Sequence, residues 1–499
     1  MKNLFNLKTL LSVAIISLSL TSCTDDDYQK EIEATPELTK GTADFSNYVA
    51  IGNSLTAGFT DGALFMKGQE NSTPNILAGN FANIGGGAFT QPMMADNNGG
   101  LLIGGTMIQN PRLYFNGTGP APVSDAPTTD ITNISAGPFN NMGVPGAKSF
   151  HLGFSGYGNI AGVGTYANPY FVRMASTPAA TMIGDAVAQN PTFFSLWIGA
   201  NDVLTYSLGG GTGTNQTGNY DPTTYASNDI TDPVVFDNTY NGLADALTAN
   251  GSKGVVLNIP YVKDTPYFTT VPYNPVPLDQ ATADQLNGAF ATYNGALASF
   301  EAATLITTEE KEARTIHFVA GLNAVTIVDE YLTDLSAYGL PQMYRQATAD
   351  DLLILTSRTF IGTQVGGNPL LINGVSVPLD DQWVLSKDEI MEVNTATDAY
   401  NTTIEAVANN KGLAFVNANA LMTQLANGGI VFDEFNLSNR YIFGEAFSLD
   451  GAHLTARGSA FIANEILKAI DTKYGSNFEA SGNLNKAKDF VTQFPAIIQ

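Results

Sequence analysis

Short apolar runs that end in turn residues recur along this sequence, and they narrow its possible folds more than any other feature. Four runs are clear: Tyr48 to Ile51, Phe193 to Ile198, Gly254 to Ile259 and Leu413 to Asn417. A fifth, weaker run lies just before Gly143, within Phe139 to Met142. Continuous apolar runs of this length are typical of parallel strands buried on both faces. Helical patterns lie between and after them, at Asp284 to Ala302, Ser386 to Asn409 and Thr455 to Thr472. This alternation predicts an α/β fold with a parallel sheet covered by helices on both faces.

Three stretches interrupt the alternation, at residues 61–138, 205–235 and 262–385. The first is rich in Gly, Asn, Pro and Thr, and the second contains Gly209 to Gly211, so both are predicted to be loops over the sheet. The third mixes helical segments with a hairpin-like piece, Leu370 to Val377, whose Asn373-Gly374 is a strong turn signal. We expect it to form a cap or a small subdomain within a main domain of residues 44–475, which a C-terminal extension, 476–499, follows.

The pattern of residues 1–22 indicates an export signal. Lys2 and Lys8 precede an apolar run that is too short to span a bilayer. The run leads to Cys23, the only cysteine in 499 residues, which therefore cannot form an internal disulfide. Its position behind small residues resembles a bacterial lipobox, and the resemblance implies lipidation of Cys23 and anchoring to the outer membrane. An ordinary free cysteine is the alternative.

Residues 23–43 are charged and poor in apolar side chains, which predicts a flexible tether. Its acidic start, Asp25 to Asp27, resembles the surface-export signal of Bacteroidota lipoproteins, and a plain solvated linker is an equal alternative. The whole chain has 22 basic and 46 acidic residues and a net charge of −24. Such a surface repels nucleic acid and anionic lipid headgroups, so the sequence excludes nucleic-acid partners.

The first apolar run leads into Gly52-Asn53-Ser54-Leu55, a turn that raises the Ser54 hydroxyl above the sheet edge. Active sites of parallel sheets lie at the carboxyl ends of the strands. A serine hydroxyl there becomes a useful nucleophile only when a neighbouring base removes its proton. An ordinary helix N-cap is the competing interpretation of this serine.

The chain has three histidines, so the search for that base is short. His453 lies just ahead of a helical pattern and three residues after Asp450, whose carboxylate can hold the imidazole in one tautomer and stabilise its protonated form. His317 lies in the apolar run Ile316 to Val319 and is predicted to be a structural strand residue. His151 lies in a glycine-rich loop, where a contact with substrate is a further possibility.

Acyl transfer also requires hydrogen-bond donors directed at a developing oxyanion. Gly146, in Val144-Pro145-Gly146-Ala147, offers a backbone N–H, and Asn201, in Gly199-Ala200-Asn201-Asp202, offers a side-chain amide. Taken separately, each segment is equally consistent with a plain turn closed by an Asx hydrogen bond.

The four segments occur in one order, each at the end of a predicted strand or the start of a helix, and together they resemble the SGNH hydrolase family. The resemblance implies a three-layer α/β/α fold with a flavodoxin-like sheet of about five strands. It also implies a triad of Ser54, Asp450 and His453 and an oxyanion hole of Gly146 and Asn201. One departure is Asn53, where the family usually has Asp; Asn keeps the acceptor oxygen but loses the charge.

These features predict a serine esterase that needs no metal and no organic cofactor. The insertions carry many aromatic residues that suit an acyl chain, although sugar rings stack on the same side chains and loop packing also explains them: Tyr166, Tyr170, Phe171, Tyr261, Tyr267 and Phe268. Lipid or other acyl esters are therefore the first expectation and acetylated polysaccharide the second. A glycan-binding surface lipoprotein without catalysis is a third, less consistent with an intact set of site residues.

Overall fold

The computed structural model of the protein describes residues 35–498. The predicted export signal, Cys23 with its lipidation, and the first part of the predicted tether lie outside the described residues. From Glu37 onward, the chain belongs to a single structural unit. No helix of this described part is long and apolar enough to cross a membrane.

Five parallel strands form the central sheet. They are β1 Tyr48–Gly52, β2 Asn141–Gly143, β3 Phe193–Trp197, β4 Lys253–Leu257 and β5 Ala414–Val416. Their order across the sheet is β5-β4-β3-β1-β2, and every neighbouring pair is parallel. The chain thus moves outward on both sides of β1, which is the flavodoxin-like order. The predicted α/β fold class is confirmed.

Helices cover both faces of the sheet because successive residues of each strand point to opposite sides. Val49 and Ile51 of β1 belong to one hydrophobic core, and Tyr48 and Ala50 belong to the other. The helices packed in the first core are Met182–Val187, Pro233–Thr248 and Lys387–Lys411. Those in the second core are Thr73–Ala82, Ala418–Gly428 and Ala456–Tyr474. The result is three layers, α/β/α.

Local sequence signals set the ends of the longer helices. Ser386 and Glu389 form a capping box at the start of Lys387–Lys411, and Gly412 ends that helix in the left-handed conformation. At the start of the last helix, the Thr455 side chain accepts from the Gly458 N–H and so acts as the N-cap. The remaining helices are Ser54–Ala57, Met66–Glu70, Pro169–Val172, Asn201–Leu208, Pro266–Thr269, Gln280–Ala302 and Thr308–Arg314.

The first insertion, residues 61–138, is more regular than the predicted loop. Besides two helices it contains two antiparallel strand pairs, Leu101–Ile103 with Thr106–Gln109 and Leu113–Phe115 with Pro120–Pro122. A further pair, Ile430–Phe432 with Phe435–Leu437, follows the helix after β5.

Residues 262–385, which we call the insertion subdomain, have a hydrophobic core of their own around Leu297, Ile327 and Leu379. Its strand pairs are Val276–Leu278 with Gly321–Asn323, Thr326–Val328 with Tyr344–Gln346, and Leu352–Leu353 with Val384–Leu385. The hairpin predicted at Leu370 to Val377 is replaced by turns. Ser376 Oγ bonds the Ile372 N–H and the Leu370 carbonyl, at 2.8 and 2.7 Å, and so occupies backbone groups that a hairpin ladder would use.

Both ends of the described chain are attached to the domain. The tether was predicted to reach residue 43, but the Thr39 N–H donates to Asn477 Oδ1 at 2.7 Å and the Thr42 N–H to the Tyr474 carbonyl at 2.8 Å. The C-terminal extension is anchored as well, since Phe478 is fully buried and Arg112 Nη2 donates to the Pro495 carbonyl at 2.6 Å.

Candidate active site

Ser54 begins a one-turn helix directly behind β1. The Asn53 side chain caps this helix, with its Oδ1 accepting from the Leu55 N–H at 3.1 Å. Gly52 permits the tight turn, because a Cβ there would lie 2.3 Å from the Trp197 carbonyl oxygen. The first N–H groups of a helix have no partner within it, so the Ser54 N–H is directed outward from the turn. Asn53 thus caps this helix through its side-chain oxygen, which requires no charge.

The structure brings Ser54, His453 and Asp450 into one hydrogen-bonded chain. Ser54 Oγ lies 2.9 Å from His453 Nε2, and His453 Nδ1 lies 3.0 Å from Asp450 Oδ2. A proton on Nδ1, donated to the carboxylate, leaves Nε2 as an acceptor for the serine hydroxyl. A base that is oriented by a third group and bonded to a hydroxyl is the arrangement that activates a serine.

Asp450 is held in its ionised form. Its Oδ1 accepts from the N–H groups of Ala452 and His453, at 2.9 and 2.8 Å, and its Oδ2 accepts from the Gly62 N–H at 2.9 Å. Burial by itself raises the pKa of this carboxyl, but His453 and these donors outweigh it and hold the pKa well below its usual range. A permanent negative charge therefore faces the imidazole.

Asp61 is a second buried acid at this site. Its Oδ1 accepts from the Leu449 N–H and its N–H donates to Ser448 Oγ, both at 3.0 Å, so it fixes the segment that precedes Asp450. Burial, joined by the charge of Asp450, raises the pKa of Asp61 to about 7, against the opposing effects of the Leu449 N–H and Arg112.

The ring of Phe59 packs against the imidazole of His453, with ring centres 4.6 Å apart. Neither Asp61 nor Phe59 stands out in the sequence as a site residue.

Asn201 and its neighbour Asp202 hold the segment that contains Gly146. Asn201 Nδ2 donates to the Ala147 carbonyl at 2.9 Å, and Asp202 Oδ2 and Oδ1 accept from the N–H and Oγ of Ser149 at 2.9 and 2.7 Å. The amide of Asn201 has two protons, so one remains for another acceptor. Asn201 and Ser54 line the same cavity.

Gly146 has a left-handed backbone, with φ of +81°, and does not line the cavity that contains Ser54. It lines a large cavity, about 1740 Å³ including its open mouth, together with many ring side chains. We call this space the aromatic cavity; its ring residues are Phe150, His151, Phe154, Tyr157, Tyr166 and Tyr225. The structure therefore brings Asn201, but not Gly146, to the wall of the cavity that contains Ser54.

An apolar cavity of about 900 Å³, including its mouth, opens at Ser54 and His453. The helix after β5 lines one side of it with Ala418, Leu421, Met422 and Leu425, and the last helix lines another with Gly458, Phe461 and Ile462. None of the six aromatic residues expected to cover an acyl chain lines this cavity. Tyr170, Phe171 and Phe268 are buried in packing contacts, and Tyr166 lines the aromatic cavity instead.

The other two histidines lie away from Ser54. His151 Nδ1 accepts from the Lys148 N–H at 3.1 Å, and its ring stacks on Tyr157 in the wall of the aromatic cavity. Burial, followed by the charge of Lys148, lowers the pKa of His151 to about 3, so it is neutral. His317 is exposed in a segment without strand pairing, and the predicted structural strand histidine is not present.

No protein-family model matches the sequence, and no curated protein matches it. Among solved structures, an extracellular lipase from Streptomyces rimosus aligns with 86% of this chain and 99% of its own. The aligned residues are 10% identical and the TM-score is 0.28. A likeness at this level establishes neither an activity nor a site.

Proposed function

We propose that this protein is a serine carboxylic-ester hydrolase with Ser54 as nucleophile, His453 as general base and Asp450 as the acid that orients it. The observation that carries the proposal is the hydrogen-bonded chain from Ser54 Oγ through His453 to Asp450, with distances of 2.9 and 3.0 Å. Ser54 Oγ bonds to the carbonyl carbon while its proton passes to His453 Nε2. The imidazolium then protonates the departing alcohol, which leaves an acyl ester on Ser54.

Water completes the cycle. His453 takes a proton from a water molecule, whose oxygen attacks the acyl carbon, and the proton returns to Ser54 Oγ as the carboxylic acid leaves. In both steps negative charge develops on the former carbonyl oxygen. We assign the Ser54 N–H and the second amide proton of Asn201 as the donors that receive it, and Gly146 stays a third donor predicted from the sequence alone. No step requires a metal or an organic cofactor.

The shape and chemistry of the apolar cavity support a substrate with an apolar acyl chain. Its wall is built from aliphatic and aromatic side chains and begins at the proposed nucleophile. Burying a methylene group stabilises a bound chain by about 0.8 kcal/mol, whereas an acetyl group would leave most of this surface uncovered. Lipid or other medium- to long-chain acyl esters are therefore the proposed substrates.

Acetylated polysaccharide is the second candidate, and the aromatic cavity favours it. Tyrosine and phenylalanine rings line it together with Asn and Thr side chains, such as Asn238 and Thr239. Sugar rings stack on such faces while their hydroxyl groups bind the amides. A glycan-binding protein without catalysis would use the same cavity but has no need of the Ser54, His453 and Asp450 arrangement.

We further propose that the protein acts outside the cytoplasm, bound to the outer membrane through lipidated Cys23 and exposed at the cell surface through its acidic tether. The support for this is the sequence of residues 1–27 alone.

Kinetics on a series of p-nitrophenyl esters from acetate to palmitate, run beside acetylated xylan, test the function and the substrate together. The first candidate predicts kcat/KM that rises with chain length and activity that is lost in both Ser54→Ala and His453→Ala. A steep preference for acetyl groups would favour the polysaccharide. A folded wild-type protein that is inert on every ester would leave only glycan binding.

A further inference from the structure

Three carboxyl groups from two parts of the molecule meet away from the Ser54 site. Glu330 and Asp381 belong to the insertion subdomain, and Glu389 lies in the first turn of the core helix Lys387–Lys411. One oxygen of each lies within 4.8 Å of the other two. Glu330 is exposed, Asp381 is half-buried, and Glu389 is only 1% exposed.

Glu389 has an oxygen that nothing in the described part of the chain satisfies. Its Oε2 accepts from the Ser386 N–H at 2.6 Å as part of the capping box, whereas Oε1 is buried without a hydrogen-bond partner among residues 35–498. A buried, unpartnered carboxylate oxygen is strongly destabilising unless a proton or a cation meets it. Helix capping therefore accounts for Oε2 and leaves Oε1 without a partner, in a carboxyl group that has an oxygen within 4.8 Å of the other two acids.

The glycine run Gly209 to Gly211 packs directly against the cluster. A Cβ on Gly211 would lie 1.6 Å from Glu389 Oε1, and a Cβ on Gly210 would lie 2.3 Å from the Asp381 carbonyl oxygen. Any side chain at Gly211 would therefore overlap the carboxylate. The backbone conformation, with φ of +90° at Gly211, also requires glycine.

Among residues 35–498, no lysine or arginine forms an ion pair with the three acids. Arg345, which pairs with Asp329 next to Glu330, is engaged elsewhere: it also donates two hydrogen bonds to Asp351, at 2.6 and 2.7 Å. The three like charges therefore repel one another unless a proton or a cation meets them.

We propose that Glu330, Asp381 and Glu389 bind a calcium ion that ties the insertion subdomain to the core helix. All the donors are hard oxygens, which suit Ca²⁺, and no histidine or cysteine is present to favour zinc. Oxygens that each lie 2.3–2.6 Å from a calcium ion are up to about 5 Å apart, which the cluster matches after small side-chain shifts. This proposal does not depend on the ester hydrolase reaction.

Calorimetric titration of the EDTA-treated full chain with CaCl₂ tests the proposal, with MgCl₂ as the comparison ion. We expect one Ca²⁺ per chain. At a concentration one hundred times the Kd, Ca²⁺ should raise the melting temperature by about 3 °C, from linkage and the unfolding entropy of a chain of this length. Absence of binding in the wild type would overturn the proposal.

Glu389→Gln provides the decisive variant, and Asp381→Asn replaces it if that protein does not fold. Either should abolish Ca²⁺ binding and the rise in melting temperature. Glu405→Gln, an exposed position on the same helix, is the matched control and should bind Ca²⁺ as the wild type does. A Glu389→Gln protein that still responds to Ca²⁺ would place any ion elsewhere. Stabilisation by Glu389→Gln without any Ca²⁺ effect in the wild type would identify a protonated carboxyl cluster instead.

Discussion

Replacing Leu425 by Trp should shorten the acyl chains that the enzyme accepts. The helix Ala418–Gly428 starts directly after β5, at the same sheet edge as Ser54, and runs back along the sheet. The residues of this helix that line the cavity run from Ala418, at that sheet edge, to Leu425, about two turns further from it. A larger side chain at Leu425 fills the last turn of the cavity and leaves its mouth open.

The magnitude follows from the helix geometry. Seven residues between Ala418 and Leu425, at about 1.5 Å each, give a wall of about 10 Å, which matches about eight methylene groups with C–C bonds of about 1.5 Å. Each buried methylene contributes about 0.8 kcal/mol, or about a fourfold increase in kcat/KM. Filling one helical turn, about 5.4 Å, removes room for about four methylenes, so kcat/KM for octanoate should fall relative to butyrate by about 200-fold.

The assay is kcat/KM for p-nitrophenyl esters of increasing length, below their micelle concentrations. For wild type, kcat/KM should rise with chain length up to about eight carbons and then stay constant. For Leu425→Trp, it should stop rising near four carbons, with an unchanged kcat/KM for butyrate. Gln424→Trp, which places the same ring on the exposed side of the helix, should behave as wild type. An equal loss at every chain length in Leu425→Trp would refute the assignment of this cavity to the acyl chain.

Three further outcomes are expected. Asp450→Asn should keep the fold but favour the wrong imidazole tautomer, with kcat about 10⁴-fold lower in steady-state kinetics. Asn201→Ala should lower kcat by about 10²–10³-fold with little change in KM; an unchanged kcat would remove it from the oxyanion hole. Asp61 has a pKa raised to about 7, so its contribution to stability is complete below its unfolded pKa, near 4, and is lost as the pH rises through 7. Between pH 6 and 8.5, the free energy of unfolding measured in urea should therefore fall by about 1 kcal/mol less in Asp61→Asn than in wild type. Parallel plots of that free energy against pH for the two proteins would contradict the assignment.

The sheet was predictable because its strands are buried on both faces and read as continuous apolar runs. The exception was β2, predicted at Phe139 to Met142 and found at Asn141–Gly143. The side chain of Asn141 donates to the Thr56 carbonyl at 3.0 Å. A buried, hydrogen-bonded polar residue therefore occupies a strand position where an apolar residue was expected. The short strand pairs of the insertions have two to four residues each, too few to show a period.

The candidate site was predictable in its chemistry but not in its surroundings. Ser54 and His453 are 399 positions apart, yet scarce histidines and the order of the four segments select this pair. The apolar cavity was missed because Leu421 and Leu425 repeat at helical spacing, a pattern identical to that of a packed core. The carboxyl cluster was missed because Glu330 is more than 50 positions from Asp381 and Glu389, and only the fold brings it to them.

Covalent labelling by a fluorophosphonate, followed by intact mass and peptide mapping, tests the central claim most directly. A serine activated by His453 should take up one phosphonyl group per chain, located on Ser54. Labelling should be lost in Ser54→Ala and His453→Ala and retained in Ser46→Ala, which removes an exposed serine close to β1. A folded wild-type protein that stays unlabelled, or a label that persists in Ser54→Ala, would contradict the account.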